Sequence, residues 1–295
     1  WPNLYWKINS GGSWTAVTPF GVAGGVYTFN FGSGVLLNDT VYYYIVAQDL
    51  ASLPNVGAYP SIGASGFTSN PPAASIPPTT PSRYVITSTA LSGNYTVGSG
   101  GNYSTLTAAI TDLNLRGVSS AVNFILIDDA YSINETFPIE IKVANLSKPT
   151  SSNTVTIKPN IGIFPFIQGA VASTAIIKIL ESYVRIDGSN SGGTDRSLTI
   201  NNTSTINPSG ILIGSLGTNP IAGASISNCN ITNGANFSSP NYGVIISDGE
   251  FLGVEGHFNN ITIQNNRFQK SFYGIYCIAE LSTGNGSGLL VTGQR

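Results

Sequence analysis

Ser225-Ile226-Ser227-Asn228-Cys229-Asn230-Ile231, followed by Tyr242-Gly243-Val244-Ile245-Ile246, is the stretch that decides the fold. The same order of parts recurs in Asn260-Ile261-Thr262-Ile263-Gln264-Asn265-Asn266-Arg267-Phe268, followed by Tyr273-Gly274-Ile275-Tyr276. An earlier copy is Leu198-Thr199-Ile200-Asn201-Asn202, followed by Gly210-Ile211-Leu212-Ile213. Each unit reads as a strand, an Asn-rich corner, a second strand, a polar loop, and then Gly with an apolar strand. One such unit cannot bury its apolar face alone and must stack on a neighbour, which is how a coil of a parallel β-helix reads. Ile200 to Ile226 is 26 positions and Ile226 to Ile263 is 37, both within the roughly 20–50-residue periods of solenoids. Asn228, Asn265 and Asn266 fall at the corners. Stacked there, their amides satisfy one another and the turn backbone, and Asn tolerates the left-handed conformation a corner needs.

Strand signals continue upstream over Val122–Ile127, Phe137–Val143, Thr154–Lys158, Ile176–Leu180 and Tyr183–Ile186. The one good helix pattern is 104–116. Leu106, Ala109, Ile110 and Leu113 share a face, Ser104 stands at the N-cap, and Gly117 stands where a helix ends. A short amphipathic helix before a solenoid covers the otherwise open end of its core. Residues 1–69 alternate as short strands, with Val41-Tyr42-Tyr43-Tyr44-Ile45-Val46-Ala47 the strongest, and read as a partial Ig/fibronectin-III-like β-sandwich. Residues 70–82 carry five prolines and read as a semi-rigid linker. The expected organisation is therefore all-β: a partial sandwich at 1–69, a linker at 70–82, and a right-handed parallel β-helix with its capping helix at 83–295.

Charged residues are 9% of the chain and the net charge is -2, against roughly 25% charged in an average domain. No basic stripe exists for nucleic acid. No apolar run is long enough to span a bilayer as a helix, so no membrane insertion by this segment is expected. The chain has no Met and begins at Trp1. It reads as an internal piece of a larger processed protein that continues past residue 295. A surface of Ser, Thr, Asn and Gly fits a secreted or cell-surface setting.

Three stretches together carry a family resemblance. They are Tyr95-Thr96-Val97-Gly98-Ser99-Gly100-Gly101-Asn102-Tyr103-Ser104-Thr105-Leu106-Thr107-Ala108-Ala109, then Val155-Thr156-Ile157-Lys158-Pro159, then Tyr183-Val184-Arg185-Ile186-Asp187-Gly188-Ser189-Asn190 with Arg196-Ser197-Leu198-Thr199-Ile200. The chain resembles the large secreted right-handed β-helix proteins of Bacteroidota-type bacteria, many of which are adhesins or filament components and some of which are carbohydrate-active. The resemblance implies export, commonly by the type IX route, and an Ig-like module ahead of the helix. The main reading is a non-enzymatic surface protein whose partners are other copies of itself, other surface proteins or glycans. The alternative is a polysaccharide-binding or polysaccharide-degrading β-helix of the pectate-lyase-like kind. A regular Thr array of the ice-binding sort is not visible.

Chemistry would need acidic and basic side chains stacked on one face by successive coils. The available carboxylates are Asp128, Asp129, Asp187, Asp195, Asp248, Glu250 and Glu255, and the available bases are Lys178, Arg185 and His257. No acidic position repeats from coil to coil, so no catalytic set is assigned. Asp187-Gly188-Ser189-Asn190-Ser191-Gly192-Gly193-Thr194-Asp195 faintly resembles a calcium loop, with Asp187, Asn190 and Asp195 as ligands. The plainer reading is an Asx-rich turn. Asp248-Gly249-Glu250 with Glu255 is a second, weaker calcium pattern. Glycan acceptors are Asn38, Asn94, Asn102, Asn134 and Asn285 by the N-x-S/T pattern, with Thr40 in Asp39-Thr40-Val41 as an O-glycan site. Cys229 and Cys277 are either buried small residues or a disulfide between neighbouring coils.

Overall fold

The computed structural model describes residues 1–86, 89–144, 147–215, 217–234, 240–249, 254–280 and 286–295. The chain divides into two compact units, Trp1–Ser88 and Thr89–Arg295.

The first unit is built on an antiparallel sheet in the order Thr15–Val17, Asn3–Ile8, Thr40–Gln48 and Val56–Tyr59. Ser82–Val85 shares the far edge of Thr40–Gln48, pairing Val85 with Thr40 and Ser82 with Tyr43. The period-2 alternation of Thr40–Gln48 sends its side chains to opposite faces. Val41 joins Leu4 and Trp6 on one face, where Phe29, Phe31 and Val35 pack. Tyr44 and Val46 lie on the other, against Ala74. Ala74 belongs to a hairpin of Ser65–Thr68 and Ala73–Ile76.

This corrects the expected linker at 70–82. The stretch holds one strand of that hairpin and the start of an edge strand. Asn3 Nδ2 and Tyr5 Oη each donate to Pro72 O at 3.2 Å. Proline is barred only where a ladder needs its N–H, and these prolines fall between strands. The division between units lies after residue 88, not at 70–82.

The second unit is a parallel β-solenoid of three long sheets and a short one that pairs Ile221–Ala222 with Phe258–Asn259. The first sheet stacks Leu91–Val97, Val118–Leu126, Val155–Pro159, Val184–Asp187, Ser225–Ser227, Thr262–Gln264 and Leu290–Thr292. The second stacks Ala130–Tyr131, Phe166–Gly169, Leu198–Asn202, Cys229–Asn233 and Arg267–Gln269. The third stacks Ile139–Ile141, Ala175–Ile179, Ser209–Ile213, Tyr242–Ile246 and Tyr273–Cys277. Register places like on like: Phe124, Ile157, Ile186, Ile226 and Ile263 form one inward ladder. Ile167, Ile200 and Ile231 form the second, and Ile177, Ile211 and Val244 the third. These side chains are buried in one continuous core.

The pairing confirms Ile226 to Ile263 as one turn of the solenoid. It corrects the spacing from Ile200 to Ile226. Ile200 lies opposite Ile231 on the second sheet, and Ile226 lies opposite Ile186 on the first. The unit opening at Leu198 therefore starts one strand late, and its first strand is Val184–Asp187.

The expected helix is Leu106–Arg116, with Leu106, Ala109, Ile110 and Leu113 buried. Its N-cap is Thr105 in place of Ser104: the Thr105 hydroxyl accepts from Ala108 N at 3.0 Å. Gly117 ends it at φ 67°. Its first turn holds no acidic residue. Glu135 supplies one from a distance, accepting from Leu106 N at 2.7 Å and Thr107 N at 2.6 Å. A carboxylate there satisfies orphan N–H groups and opposes the positive end of the helix dipole.

Candidate functional site

The outward positions of the first sheet alternate with the buried ladder and form a polar surface. Thr156, Arg185, Ser225 and Thr262 stand in register along one row. Asp187, Ser227 and Gln264 stand along the next. Together with Gly223 and Asn260 they line an open groove of about 470 Å³. Its walls are hydroxyls and amides, with one guanidinium and one carboxylate.

The groove is bordered by a hydrogen-bonded corner ladder. Asn228 Nδ2 donates to Asp187 Oδ1 at 2.7 Å, and Asn265 Nδ2 donates to Asn228 Oδ1 at 2.7 Å. Both asparagines adopt positive φ, 58° and 52°, the conformation Asn tolerates better than other side chains. Asn266 completes the corner, accepting from Cys229 N at 2.9 Å and donating to Ile226 O at 2.9 Å. A second ladder lies inside, between the second and third sheets. Asn202 Nδ2 donates to Val171 O, Thr174 O and Ser209 O, and its register partner Asn233 donates to Tyr242 O.

The loop between Asp187 and Leu198 folds over the same corner. Arg196 Nε donates to Asn265 O at 2.7 Å, and Arg196 also bonds the Asn265 side-chain oxygen. Within the loop, Asp195 accepts from the hydroxyls of Ser189 (2.6 Å), Ser197 (2.6 Å) and Ser191, and from Asn190 N (3.0 Å). Burial pushes the Asp195 carboxyl up, but these four hydrogen bonds outweigh it and hold the group well below the usual carboxylate range. Asp187 Oδ1 already accepts from Ser189 N and Asn228 Nδ2. Asn190 turns away, donating to Ile163 O at 2.9 Å. The Asp187, Asn190 and Asp195 loop thus has the geometry of a self-satisfied Asx turn. Among the described residues no cluster of His, Cys, Asp or Glu gathers that could hold a metal ion.

The other acidic and basic candidates are scattered. Lys178 sits on the third sheet, paired with Glu140 at 3.1 Å. His257 Nε2 lies 3.4 Å from Glu280. Asp248 accepts from Ser215 Oγ and Gly217 N, each at 2.8 Å. Asp128 accepts from Ser99 N at 2.7 Å. Glu255 is exposed, and Glu250 lies outside the described residues. Asp187 is the one carboxylate among the groove's lining residues, whereas glycoside hydrolysis generally uses a flanking pair.

The disulfide candidate is corrected. Cys229 and Cys277 are both free, one buried and one exposed. They lie on different sheets, Cys229 opposite Leu198 and Cys277 opposite Ile246. Burial pushes the Cys229 thiol up.

Of the glycan acceptors, Asn38, Asn94, Asn102 and Asn134 are all exposed. Asn94 accepts from Asn123 Nδ2 at 2.8 Å, and Asn102 accepts from the Thr96 N–H and hydroxyl. Thr40 is half-buried and strand-paired with Val85. Asn285 lies outside the described residues.

Three features were not anticipated: the Glu135 cap, the Arg196 clasp on Asn265, and the groove itself. The period-2 pattern of Val184–Asp187 was the available signal for the groove, but a groove needs the row across coils.

No family model, curated protein or solved structure matches the chain. Among the described residues no helix is long and apolar enough to cross a membrane.

Proposed function

We propose that this chain belongs to a secreted, non-enzymatic surface protein, an adhesin or filament component, whose solenoid holds a glycan along the outer face of its first sheet. The observation that carries this reading is the row of Thr156, Arg185, Ser225 and Thr262 beside Asp187, Ser227 and Gln264, mostly hydroxyls and amides, in one open groove. Hydroxyl and amide side chains repeated from coil to coil match a polymer that repeats along its own axis. The scarcity of charge favours a neutral polysaccharide. The resemblance of the Tyr95–Ala109 stretch to exported β-helix proteins supports an extracellular setting, in which copies of the chain or other surface proteins are further partners.

The test is affinity electrophoresis of the whole chain in gels containing neutral polysaccharides, with reducing ends assayed in parallel. Retardation by at least one polymer, lost in Ser225→Arg and Thr262→Arg, is the expected result. Absence of retardation across the panel overturns the glycan reading. Release of reducing ends makes the chain a polysaccharide-degrading enzyme and overturns the non-enzymatic one.

A further inference from the structure

We propose that the first unit carries a separate site for acidic sugars, in which the Lys7 ammonium takes a uronic acid carboxylate and the Trp14 and Tyr42 rings take the pyranose. This goes beyond the groove on the solenoid: it is another unit, with other side chains and a charged ligand in place of a neutral one.

The site is a groove of about 360 Å³ lined by Lys7, Trp14, Tyr42, Pro77, Pro78 and Pro81, with Ser10 and Thr79 at its margin. That volume lies within the roughly 300–1,000 Å³ of small-ligand clefts. Lys7 projects from the strand Asn3–Ile8, directly opposite Tyr42 on Thr40–Gln48. Its Nζ sits 4.9 Å from the Trp14 ring centre and 5.8 Å from that of Tyr42. Trp14 is held edge-on by Tyr44, with ring centres 4.8 Å apart and planes at 83°, so the floor of the groove is fixed before any ligand arrives.

Lys7 is half-buried and donates to Ser10 O at 2.6 Å. An ammonium has three N–H donors. No carboxylate among the described residues forms an ion pair with it. A cation flanked by two aromatic rings has given up part of its hydration, which an incoming carboxylate replaces with a charge-assisted hydrogen bond.

The walls choose between a sugar and an acidic peptide. A peptide that adds as a β-strand needs main-chain partners at regular intervals, and Pro77, Pro78 and Pro81 have no N–H to give. What the groove offers is flat ring surface with a single charged anchor. A pyranose has an apolar C–H face, and a uronic acid adds one carboxylate at its edge.

All three tryptophans, Trp1, Trp6 and Trp14, lie in the first unit, and Trp14 lines the proposed site, so tryptophan fluorescence reports on it. Trigalacturonic acid, a neutral trisaccharide and hexaglutamate are titrated into the whole chain at low and high salt. The expected result is a saturable change with trigalacturonic acid that weakens with salt. The neutral trisaccharide and the peptide produce none. Lys7→Met weakens binding by about tenfold, and Lys7→Arg retains it. Equal affinity for the neutral sugar, equal affinity for hexaglutamate, or no saturable change overturns the proposal. So does unaltered binding by a Lys7→Met chain whose far-UV circular dichroism matches the parent. Loss of polysaccharide retardation in the solenoid variants bears on the other groove alone.

Discussion

Asn265 donates from its side-chain amide to the side-chain oxygen of Asn228 one coil earlier, at 2.7 Å, and Asn228 passes the pattern on to Asp187. Three coils are tied at one corner by side-chain amide donors, and both asparagines sit in the left-handed region.

Asn228→Ala removes a donor to a carboxylate and an acceptor for Asn265, and puts a residue without a local hydrogen bond at φ 58°. The solenoid should lose about 3 kcal/mol. Asn228→Gly relieves the backbone but not the ladder, so it should cost less. Urea unfolding followed by far-UV circular dichroism checks the order Asn, Gly, Ala from most to least stable. Equal stability of the Gly and Ala variants would remove the backbone part of this account.

The corners and inward ladders were legible because they are local: alternation, Asn at a corner, and Gly before an apolar strand repeat in the chain itself. Register was not, because loops of unequal length separate the strands. Ile200 and Ile226 look equivalent by spacing, yet they belong to different sheets. The 70–82 stretch misled for a related reason. Its prolines flag breaks in pairing, but Pro72 O is an acceptor for Asn3 and Tyr5, a contact no local pattern announces. The groove, the Glu135 cap and the Lys7 site all need residues that meet only after folding.

Glu135 reaches the helix start from outside the helix. Glu135→Gln keeps the shape but removes the charge, and should cost about 1 kcal/mol. Thr105→Ala should cost about as much by removing the N-cap. Both should speed amide hydrogen exchange at the first turn of Leu106–Arg116 while leaving the sheet amides of Ala175–Ile179 unchanged. Uniform acceleration across both segments would argue against a local capping role.

Asp195 is held below its ordinary value of 3.8 by the Ser189, Ser191 and Ser197 hydroxyls and Asn190 N–H, against burial. A carboxylate depressed in the folded state contributes its stability above the unfolded value, and loses it as pH falls toward the folded one. The solenoid should therefore weaken as pH drops below about 4, with Asp195 one contributor. Asp195→Asn should be less stable at neutral pH and show a shallower acid slope. Superimposable pH profiles for parent and variant would show that the loop makes no such contribution.

Cys277 is exposed and Cys229 is buried. Iodoacetamide at mildly alkaline pH should add one carbamidomethyl group to the native chain and two after unfolding, without reductant. The native adduct should map to Cys277. Failure of the unfolded chain to label until reductant is added would restore the disulfide that the free thiols exclude.

Gly210 shows how closely the coils approach. A β-carbon built there would lie 2.5 Å from Ile231 Cγ2 and 2.6 Å from Gly243 O. The first neighbour is a fully buried core side chain and the second is main chain of the next coil, so neither is free to yield. At Gly214 the nearest neighbour is Leu180 Cδ2 at 3.2 Å, followed by Ser247 O at 3.4 Å, which a small shift accommodates. Gly210→Ala should cost about 1–3 kcal/mol or more by overpacking, and Gly214→Ala less. The same steric exclusion applies at Gly243 on the next coil, where a β-carbon would lie 2.5 Å from Gly274 O and against the Phe268 ring, whereas at Gly274 the nearest neighbour is Phe268 Cδ2 at 3.3 Å. The decisive measurement is the pair of urea midpoints. If Gly210→Ala is as stable as Gly214→Ala, the coils are not in the contact described, and the register of Ser209–Ile213 on Tyr242–Ile246 must be revised.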